Sequence, residues 1–246
     1  MSITKNELLA RTELMLGDGA TERLGATRVA IFGIGGVGGY ALEALMRTGV
    51  GHIDVIDADE VSPSNVNRQI LASAVTVGER KTECAKKRAE DIGLGTEIGC
   101  YDLFYSEETE GEIDLSKYDY IIDAIDTVPS KCLLIKNATA LGVPIISSMG
   151  TGGKLDPTAL KVADISKTHT CPLARTMRSE LKKLGIKHLK VVFSDEEPIK
   201  RTFADDVQGI YTRRVPGSVI FVPAAAGLTL AAEVVKDLLA GEVSEK

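Results

Sequence analysis

The sequence has no tryptophan, few aromatic residues and only three histidines, and none of its four cysteines forms a C-x-x-C pair. The missing C-x-x-C pairs argue against a structural zinc site. The longest apolar stretch, residues 219–232, is interrupted by Pro223 and is shorter than the roughly 20 residues that cross a bilayer. Charged residues near the N-terminus argue against a secretory signal, so we expect a cytoplasmic protein with free thiols and no membrane contact.

The composition is that of a globular protein with a sizeable core. The chain has 246 residues, of which 44% are hydrophobic and 26% charged, so a disordered chain is not expected. The net charge of −6 argues against a generally basic nucleic-acid binder. Residues 161–214, however, carry 12 Lys and Arg against 7 Asp and Glu. Such a basic segment is either a landing surface for a polyanion or a solvated helix face.

Strands and helices alternate along residues 28–149. Apolar runs predict strands near 28–33, 52–57, 97–101, 119–124 and 144–149. Helices are expected near 37–48, 79–92 and 130–141. This alternation predicts an α/β, Rossmann-like fold with a mostly parallel sheet and helices on both faces.

A glycine-rich segment follows the first predicted strand, Val29–Phe32, and leads into a helix. Its glycines are Gly33, Gly35, Gly36 and Gly38. Glycines allow a tight turn and a close approach of phosphate, and the helix that follows offers free amides. Asp57 ends the second strand 19 residues after Gly38, near the spacing of a ribose-binding acid. The pattern predicts a nucleotide site, and a tight turn without a ligand is the alternative.

The chain divides into three segments that we expect to form one compact domain. Residues 1–27 are an N-terminal segment that is helical over 5–25, and residues 28–150 are a nucleotide-binding core. Residues 151–246 are a C-terminal α+β extension. In the extension we expect strands at 160–164 and 190–194, an amphipathic helix at 171–184, a mobile loop at 194–217 and a last helix at 224–240. The apolar stretch 219–232 predicts a core strand that runs into this last helix.

Three further features favour ATP over NAD. Arg68, three residues after Asn65, can fork two hydrogen bonds onto phosphate oxygens. Lys81 begins a predicted helix, where its charge can reach a triphosphate. Asp126 follows the apolar run of the fourth strand, where a carboxylate can hold Mg²⁺ against phosphates. Each residue alone fits a surface charge, but their common place at strand ends on one side of the sheet favours an ATP site.

Five motifs follow one another along the chain, namely GIGGVG, VIDADEV, SNVNRQ, GERK and DAID. Together they resemble the adenylating domain of ubiquitin-activating-type enzymes, a family that includes the bacterial ThiF and MoeB proteins. The resemblance implies ATP and Mg²⁺ as cofactors, a ribose contact from Asp57 and a Mg²⁺ contact from Asp126. It implies a nucleotide site formed by Gly33, Gly35, Gly36, Gly38, Asp57, Asp59, Asn65, Arg68, Gln69 and Lys81. It also matches Arg11 to an arginine that reaches the phosphates of a neighbouring subunit, which implies a homodimer.

Three longer segments of the chain are RTGVGHIDVIDADEVSPSNVNRQI, VPIISSMGTGGKLDPT and ADISKT…PLAR. They are similar to one branch of that family, the tRNA threonylcarbamoyladenosine dehydratases. This resemblance continues past residue 150. It implies ATP-dependent adenylation of a carboxylate on a tRNA nucleoside next to the anticodon, followed by cyclisation. The catalytic residues would be Arg11, Arg68, Lys81 and Asp126, and a sulfur-transfer or carrier protein is a further candidate partner.

The basic helix supplies the candidates for tRNA backbone contacts, which are Arg175, Arg178, Lys182 and Lys183. We therefore expect the C-terminal extension to face tRNA. Cys171 begins this helix just before Pro172. A thiol at a helix start can be reactive, and in distant relatives a cysteine here accepts the activated acyl group. A small apolar contact is the alternative for Cys171, since ring closure needs no thiol.

Three other functions stay open from the sequence. An activator of a sulfur-carrier or ubiquitin-like protein shares the ATP site, although the ThiF and MoeB proteins carry C-x-x-C pairs that this chain lacks. An NAD-dependent oxidoreductase needs a hydride-site base, and the three histidines, His52, His169 and His188, offer little support for one. A non-enzymatic nucleotide sensor would not need the Arg68, Lys81 and Asp126 set.

Overall fold

The structure, a computed structural model, describes residues 4–199 and 217–240. Its α-helices are α1 (Lys5–Leu16), α2 (Ala20–Gly25), α3 (Gly38–Thr48), α4 (Lys81–Ile92), α5 (Val128–Leu141), α6 (Pro172–Lys183) and α7 (Phe221–Ala240). Its strands are β1 (Arg28–Phe32), β2 (His52–Ile56), β3 (Glu97–Tyr101), β4 (Tyr120–Asp123), β5 (Ile145–Ser148), β6 (Leu160–Asp164) and β7 (Lys190–Ser194). The strands predicted between residues 28 and 194 are all present.

The described strands form one sheet in the order β3-β2-β1-β4-β5-β7-β6. Neighbouring strands are parallel except for β6, which runs antiparallel to β7. The sheet therefore continues past residue 150 into the C-terminal extension. Because β2 lies on one side of β1 and β4 on the other, the direction in which strands are added reverses between β1 and β4. The predicted α/β fold class is confirmed.

Helices cover both faces of this sheet, which explains the uniformly apolar central strands. In β1 and β4, Val29–Phe32 and Ile121–Ile122 have no solvent exposure. Apolar side chains of α3, α4 and α7 pack on one face. Those of α5 and α6 pack on the other face.

The N-terminal segment is helical within 5–25 and ends at Gly25 as predicted, but a turn that was not predicted divides it into α1 and α2. Between α1 and α2, Gly17 and Gly19 adopt φ angles of 98° and 76°, a conformation that favours glycine. The carboxylate of Glu13 accepts hydrogen bonds from the amides of Gly19 and Thr21. These bonds satisfy free amides at the start of α2 and fix the turn between the helices.

The strand predicted at the start of residues 219–232 is also wrong, because α7 begins at Phe221. A Cβ atom on Gly227 would lie only 2.2 Å from the carbonyl oxygen of Val37. This glycine therefore lets α7 pack closely on the start of α3. Most of the mobile loop predicted over 194–217 lies outside the described residues. Within residues 4–199 and 217–240, no helix has the length and apolar content needed to cross a membrane.

Candidate nucleotide site

A cavity of about 410 Å³ opens at the carboxyl ends of the parallel strands. Its walls are formed by residues that follow β1, β2, β3 and β4. Open α/β sheets bind ligands at the point where the strand order reverses, which here lies between β1 and β4. The volume is in the usual range of small-molecule sites.

The loop between β1 and α3 forms one wall of this cavity, through Gly33, Gly35 and Gly36. A Cβ on Gly33, which has a φ of 83°, would lie 2.8 Å from the carbonyl oxygen of Ala124. A Cβ on Gly38, in the first turn of α3, would lie 1.8 Å from the carbonyl oxygen of Gly33. These two positions admit only glycine, and the loop leads directly into a helix N-terminus, which favours phosphate. Gly38 shapes the loop but does not line the cavity.

Asp57, at the end of β2, is buried and holds the glycine loop in place. Its Oδ2 accepts a hydrogen bond from the amide of Ile34 at 2.8 Å, and its Oδ1 accepts one from the amide of Asp59 at 2.9 Å. Each carboxylate oxygen can accept more than one hydrogen bond, so Asp57 keeps capacity for a ribose hydroxyl. The anchoring role of Asp57 was not predicted from its spacing.

Lys81, the first residue of α4, is only 4% exposed and lies between two carboxylates. Its Nζ is 2.6 Å from Oδ2 of Asp59 and 3.5 Å from Oδ1 of Asp57. All three residues line the cavity. The arrangement holds a positive charge at the cavity wall with little solvent around it, where its attraction for phosphate is less screened.

Arg68 lines the same cavity and is half-buried. Its Nη1 donates to the carbonyl oxygen of Ser64 at 2.6 Å and to Oδ1 of Asn67 at 2.9 Å. The side-chain amide of Asn67 donates to the carbonyl oxygen of Ser218 at 2.9 Å. The remaining N–H groups of the guanidinium leave Arg68 able to bind an anion at the cavity.

Asn65 and Gln69 flank Arg68 and also line the cavity. Oδ1 of Asn65 accepts a hydrogen bond from the amide of Ser62 at 3.1 Å, which caps a short 3₁₀ turn. The side-chain amide of Gln69 lies 3.6 Å from the position that a Cβ on Gly35 would take. Both predicted residues therefore lie at the cavity, and Gln69 lies beside the loop between β1 and α3.

Asp126 lies just beyond the end of β4, is exposed and lines the cavity. No other residue in the described ranges forms a hydrogen bond or ion pair with its carboxylate. The next residue, Thr127, is the N-cap of α5 and has a buried hydroxyl oxygen with no hydrogen-bond partner among the described residues. The carboxylate is therefore free to act on a ligand in the cavity.

A metal ion here would need ligands from the nucleotide as well as from the protein. The described part of the chain contains no cluster of three or more His, Cys, Asp or Glu side chains that could hold a metal. Mg²⁺ usually binds one or two carboxylates together with substrate phosphates and water. One exposed carboxylate near the loop between β1 and α3 fits this mode, so Asp126 could hold Mg²⁺ jointly with a triphosphate.

The apolar part of the cavity was not predicted from the sequence. Leu103, Phe104 and Tyr105 follow β3 and line it, together with Phe32 and Ile125. The rings of Phe32 and Tyr105 pack edge to face at 5.0 Å, and burial raises the pKa of the Tyr105 hydroxyl. Their position directly after a predicted strand, at the same sheet edge as Asp57 and Asp126, is the signal that points to them.

Arg11 lies outside the cavity, exposed on α1. The same helix exposes large apolar side chains, with Leu14 at 87% and Met15 at 83%. The structure therefore does not bring Arg11 to the cavity of its own chain.

The basic helix α6 is amphipathic as predicted, and its tRNA candidates lie outside the cavity. Met177 and Leu181 are buried against the sheet, whereas Arg175 and Lys182 are exposed. Arg175 and Lys182 are two helical turns apart, so they share a face.

Two other α6 candidates have partners within the chain. Nη1 of Arg178 donates to the carbonyl and the hydroxyl of Thr168, and Lys183 pairs with Glu180 at 2.7 Å. Leu184, the last residue of the predicted helix, is 45% exposed, because α6 ends at Lys183. Arg175 and Lys182 are therefore the more available charges.

Cys171 is the N-cap residue of α6 and is only 2% exposed. It belongs to an apolar cluster with Met149, Ala174 and Met177. Its Sγ would lie 3.7 Å from a Cβ on Gly150, and it does not line the cavity. The apolar contact that was the alternative for Cys171 describes its surroundings.

Residues 8–245 of this chain match the ThiF family. The chain belongs to the ThiF family. This match includes the C-terminal extension, which agrees with the continuation of the sheet past residue 150. It confirms the family resemblance that the five motifs carry.

This ThiF family member is similar to proteins of two kinds, the tRNA threonylcarbamoyladenosine dehydratases and a sulfur carrier protein adenylyltransferase. It is 43% identical to the tRNA threonylcarbamoyladenosine dehydratase of Bacillus subtilis over 238 residues, which are 94% of both chains. It superposes on E. coli tRNA N6-threonylcarbamoyladenosine dehydratase in complex with ATP with a TM-score of 0.86 and 30% identity, over 100% of both chains. A third relative, the sulfur carrier protein adenylyltransferase of Thermus thermophilus, is 34% identical, but the match covers 59% of this chain and 55% of the relative.

Proposed function

We propose that this ThiF family member is an ATP-dependent tRNA threonylcarbamoyladenosine dehydratase. The similarity to the Bacillus subtilis dehydratase over 94% of both chains carries this proposal. The cavity supports it, because the residues predicted from the sequence to bind ATP, apart from Gly38 and Arg11, line one space at the sheet edge. The similar E. coli dehydratase was solved with ATP bound.

The proposed reaction has two steps. An oxygen of the threonine carboxylate attacks the α-phosphorus of ATP, the bond to the β-phosphate bridging oxygen breaks, and pyrophosphate leaves. The neighbouring carbamoyl group then attacks the activated carbonyl carbon, the bond to AMP breaks, and a proton is released to solvent. The nucleoside loses the elements of water, and ATP becomes AMP and pyrophosphate.

The cavity offers a place for each part of ATP. The loop through Gly33 and Gly36 takes the phosphates, and Asp57 accepts from a ribose hydroxyl. The apolar wall that includes Leu103 and Phe104 suits a flat base. This order follows the sheet edge from β3 to the start of α3, so the triphosphate lies near Arg68, Lys81 and Asp126.

The protein's main task in the first step is to stabilise charge. Negative charge builds up on the α-phosphate and on the leaving pyrophosphate, and the cations of Arg68 and Lys81 offset it from the cavity wall. Asp126 is the residue that would hold Mg²⁺, which would neutralise part of this charge.

The second step needs no protein nucleophile. The attacking carbamoyl and the activated carbonyl belong to the same nucleoside, so the reaction has the entropic advantage of an intramolecular step. The burial of Cys171 outside the cavity supports a route without an acyl-thioester. The chain's contribution is to orient the nucleoside and to exclude water from the acyl-adenylate.

Mass spectrometry of tRNA nucleosides tests the proposed function directly. The protein is incubated with ATP, Mg²⁺ and tRNA that carries threonylcarbamoyladenosine, and the digested nucleosides are analysed. We expect a new nucleoside that is lighter by one water, formed in step with AMP. If the protein is folded and binds ATP but the nucleoside profile stays unchanged, the proposal is contradicted.

Activation of a sulfur-carrier or ubiquitin-like protein is the second candidate. Its support is the adenylyltransferase similarity, which covers little more than half of either chain. Pyrophosphate exchange into ATP separates the two functions, measured with modified tRNA or with a small β-grasp carrier protein. Exchange that requires the carrier rather than the tRNA would favour this candidate.

A homodimer in which Arg11 reaches the partner's phosphates is part of the proposal. Its support is the exposed Arg11 on a helix that also exposes Leu14 and Met15, since such apolar side chains suit an interface. We expect Arg11→Ala and Asp126→Ala to be inactive alone and to regain activity after subunit exchange in a mixture. A mixed dimer then has one site with an intact Asp126 and a partner's intact Arg11. If mixed dimers of the two variants are shown to form but the mixture stays inactive, Arg11 does not act on the partner's site.

The exposed face of α6 is the proposed tRNA contact. Reversal of Arg175 and Lys182 to Glu is expected to weaken tRNA binding by roughly tenfold or more and to reduce its salt dependence, because phosphate contacts release counterions. Filter binding over a salt series measures both effects. Lys86→Glu with Lys236→Glu is the matched control, since α4 and α7 lie on the other sheet face and the net charge changes equally. Equal loss in both double variants would contradict a contact on α6.

A further inference from the structure

An ion pair lies completely buried directly behind Asp126. The Nζ of Lys131, in α5, is 2.9 Å from Oδ2 of Asp123, the last residue of β4, and both side chains have 0% exposure. Neither side chain lines the cavity. The pair is therefore not a binding group for the nucleotide.

Core stability alone does not explain this pair. Removing two charges from water costs several kcal/mol for each ion, and well-packed apolar residues of similar volume often stabilise a core as well or better. A Lys–Asp pair in the core thus indicates a requirement for polar groups at this place. The requirement becomes clear from their other hydrogen bonds.

The pair holds both polar groups of one backbone residue, Ile125. Lys131 Nζ donates to the carbonyl oxygen of Ile125 at 3.1 Å, and the amide of Ile125 donates to Oδ1 of Asp123 at 3.2 Å. Ser147, the register partner of Asp123 on β5, donates from its hydroxyl to Oδ2 of Asp123 at 2.5 Å. The peptide groups on either side of Ile125 are therefore fixed to β4, β5 and α5.

Fixing Ile125 fixes the residue that follows it. The carbonyl held by Lys131 belongs to the peptide that joins Ile125 to Asp126, so the pair sets the position and direction of the Asp126 backbone. The same turn contacts the loop between β1 and α3, because the carbonyl oxygen of Ala124 lies against Gly33. The exposed Asp126 side chain has no partner of its own among the described residues, so its backbone determines where it lies.

We propose that Lys131 and Asp123, supported by Ser147, are positioning residues that aim the Asp126 carboxylate at the phosphate-bound cation. Their role rests on the proposed function, in which Asp126 serves Mg²⁺ on ATP. Residues that orient a metal ligand from behind change metal affinity or activity by about 10–100-fold when they are replaced.

The test compares ATP binding with and without Mg²⁺ in the full-length protein. The variant is Asp123→Asn with Lys131→Met, which removes both charges, keeps the volume and keeps an acceptor for the Ile125 amide. Without a divalent cation, we expect the variant to bind ATP with unchanged affinity. Mg²⁺ tightens ATP binding, and the Mg²⁺ concentration that gives half of this effect should be roughly tenfold higher in the variant. The kcat of ATP consumption should fall by a similar factor, with little change in KM for ATP.

Two further variants keep the result unambiguous. Glu43→Gln with Arg88→Gln neutralises a bidentate ion pair between α3 and α4 away from the cavity, and it should lower the melting temperature without shifting the Mg²⁺ dependence. If the Asp123–Lys131 double variant does not fold, Ser147→Ala removes one hydrogen bond of the network and should shift the Mg²⁺ dependence by roughly threefold, the size of effect expected for one hydrogen bond.

Three measured outcomes separate the possibilities. A shifted Mg²⁺ dependence in the Asp123–Lys131 variant, as in Asp126→Asn, supports the positioning role. A folded variant with wild-type Mg²⁺ dependence, beside a shifted Asp126→Asn, overturns the positioning role alone. Wild-type Mg²⁺ dependence in Asp126→Asn itself overturns the metal assignment of the proposed function and the positioning role with it.

Discussion

Asp126→Ala is expected to abolish Mg²⁺-dependent ATP consumption while the protein remains folded. The side chain is exposed in the cavity and has no described partner, so its removal takes no contact from the core. Charge neutralisation by a phosphate-bound metal is worth several kcal/mol in the transition state. Since about 1.4 kcal/mol corresponds to a tenfold change in rate, the loss should be roughly 10³-fold or more.

Release of AMP and pyrophosphate in the presence of modified tRNA measures this effect, and a thermal melt confirms folding. Asp126→Asn is the stricter variant, because it keeps the shape and removes only the charge. Asp91→Asn, an exposed acid in the last turn of α4, serves as the control and should leave turnover unchanged. Near-normal turnover in both Asp126 variants would show that another group holds the metal.

The fold was predictable from the sequence wherever burial on both faces of the sheet produces continuous apolar runs. β1 and β4 are examples, since Val29–Phe32 and Ile121–Ile122 are fully buried. The prediction failed where short-range signals are ambiguous. Phe221 and its neighbours are apolar in either a buried strand or a buried helix, and the turn at Gly17–Gly19 depends on hydrogen bonds that the Glu13 carboxylate accepts.

The polar half of the candidate site was predictable because parallel strands bring their carboxyl ends to one edge. Asp57, Arg68, Lys81 and Asp126 are far apart in sequence, yet all four line the cavity. Their convergence follows from the strand order and needs no knowledge of side-chain contacts. The catalytic roles of these residues stay predictions until the variants are measured.

The supporting contacts were not predictable because they depend on tertiary geometry. Nothing in the sequence connects Asp123 to Lys131 or to Ser147, since the first pairing depends on the turn before α5 and the second on the register between β4 and β5. Likewise, counting charges does not show that Arg178 donates hydrogen bonds to Thr168. It also does not show that Arg175 is exposed. A residue type and its place on a helix predict exposure only approximately.

Arg68→Lys is expected to reduce ATP-dependent turnover by roughly 10²–10³-fold, the cost of losing one preorganised donor group in an oxyanion-type site. Lysine keeps the positive charge but presents it as a single point, without the planar fork that spans two phosphate oxygens. The guanidinium also donates to Ser64 and Asn67, and a lysine amine cannot keep both contacts and reach a phosphate as well. The reduction should therefore appear mainly in kcat, because the lost bonds matter most when charge develops on the α-phosphate.

Arg80→Lys provides the matched control for this experiment. Arg80 precedes α4, donates to the carbonyl oxygen of Ala58 at 2.8 Å and lies outside the cavity lining. Its replacement makes the same chemical change nearby and should alter turnover by no more than about twofold, as for most exposed substitutions. Equal activity of Arg68→Lys and Arg80→Lys would mean that positive charge alone, and not the forked geometry, acts on the triphosphate. A loss confined to KM would instead place Arg68 in ground-state binding of ATP, because uniform binding leaves kcat unchanged.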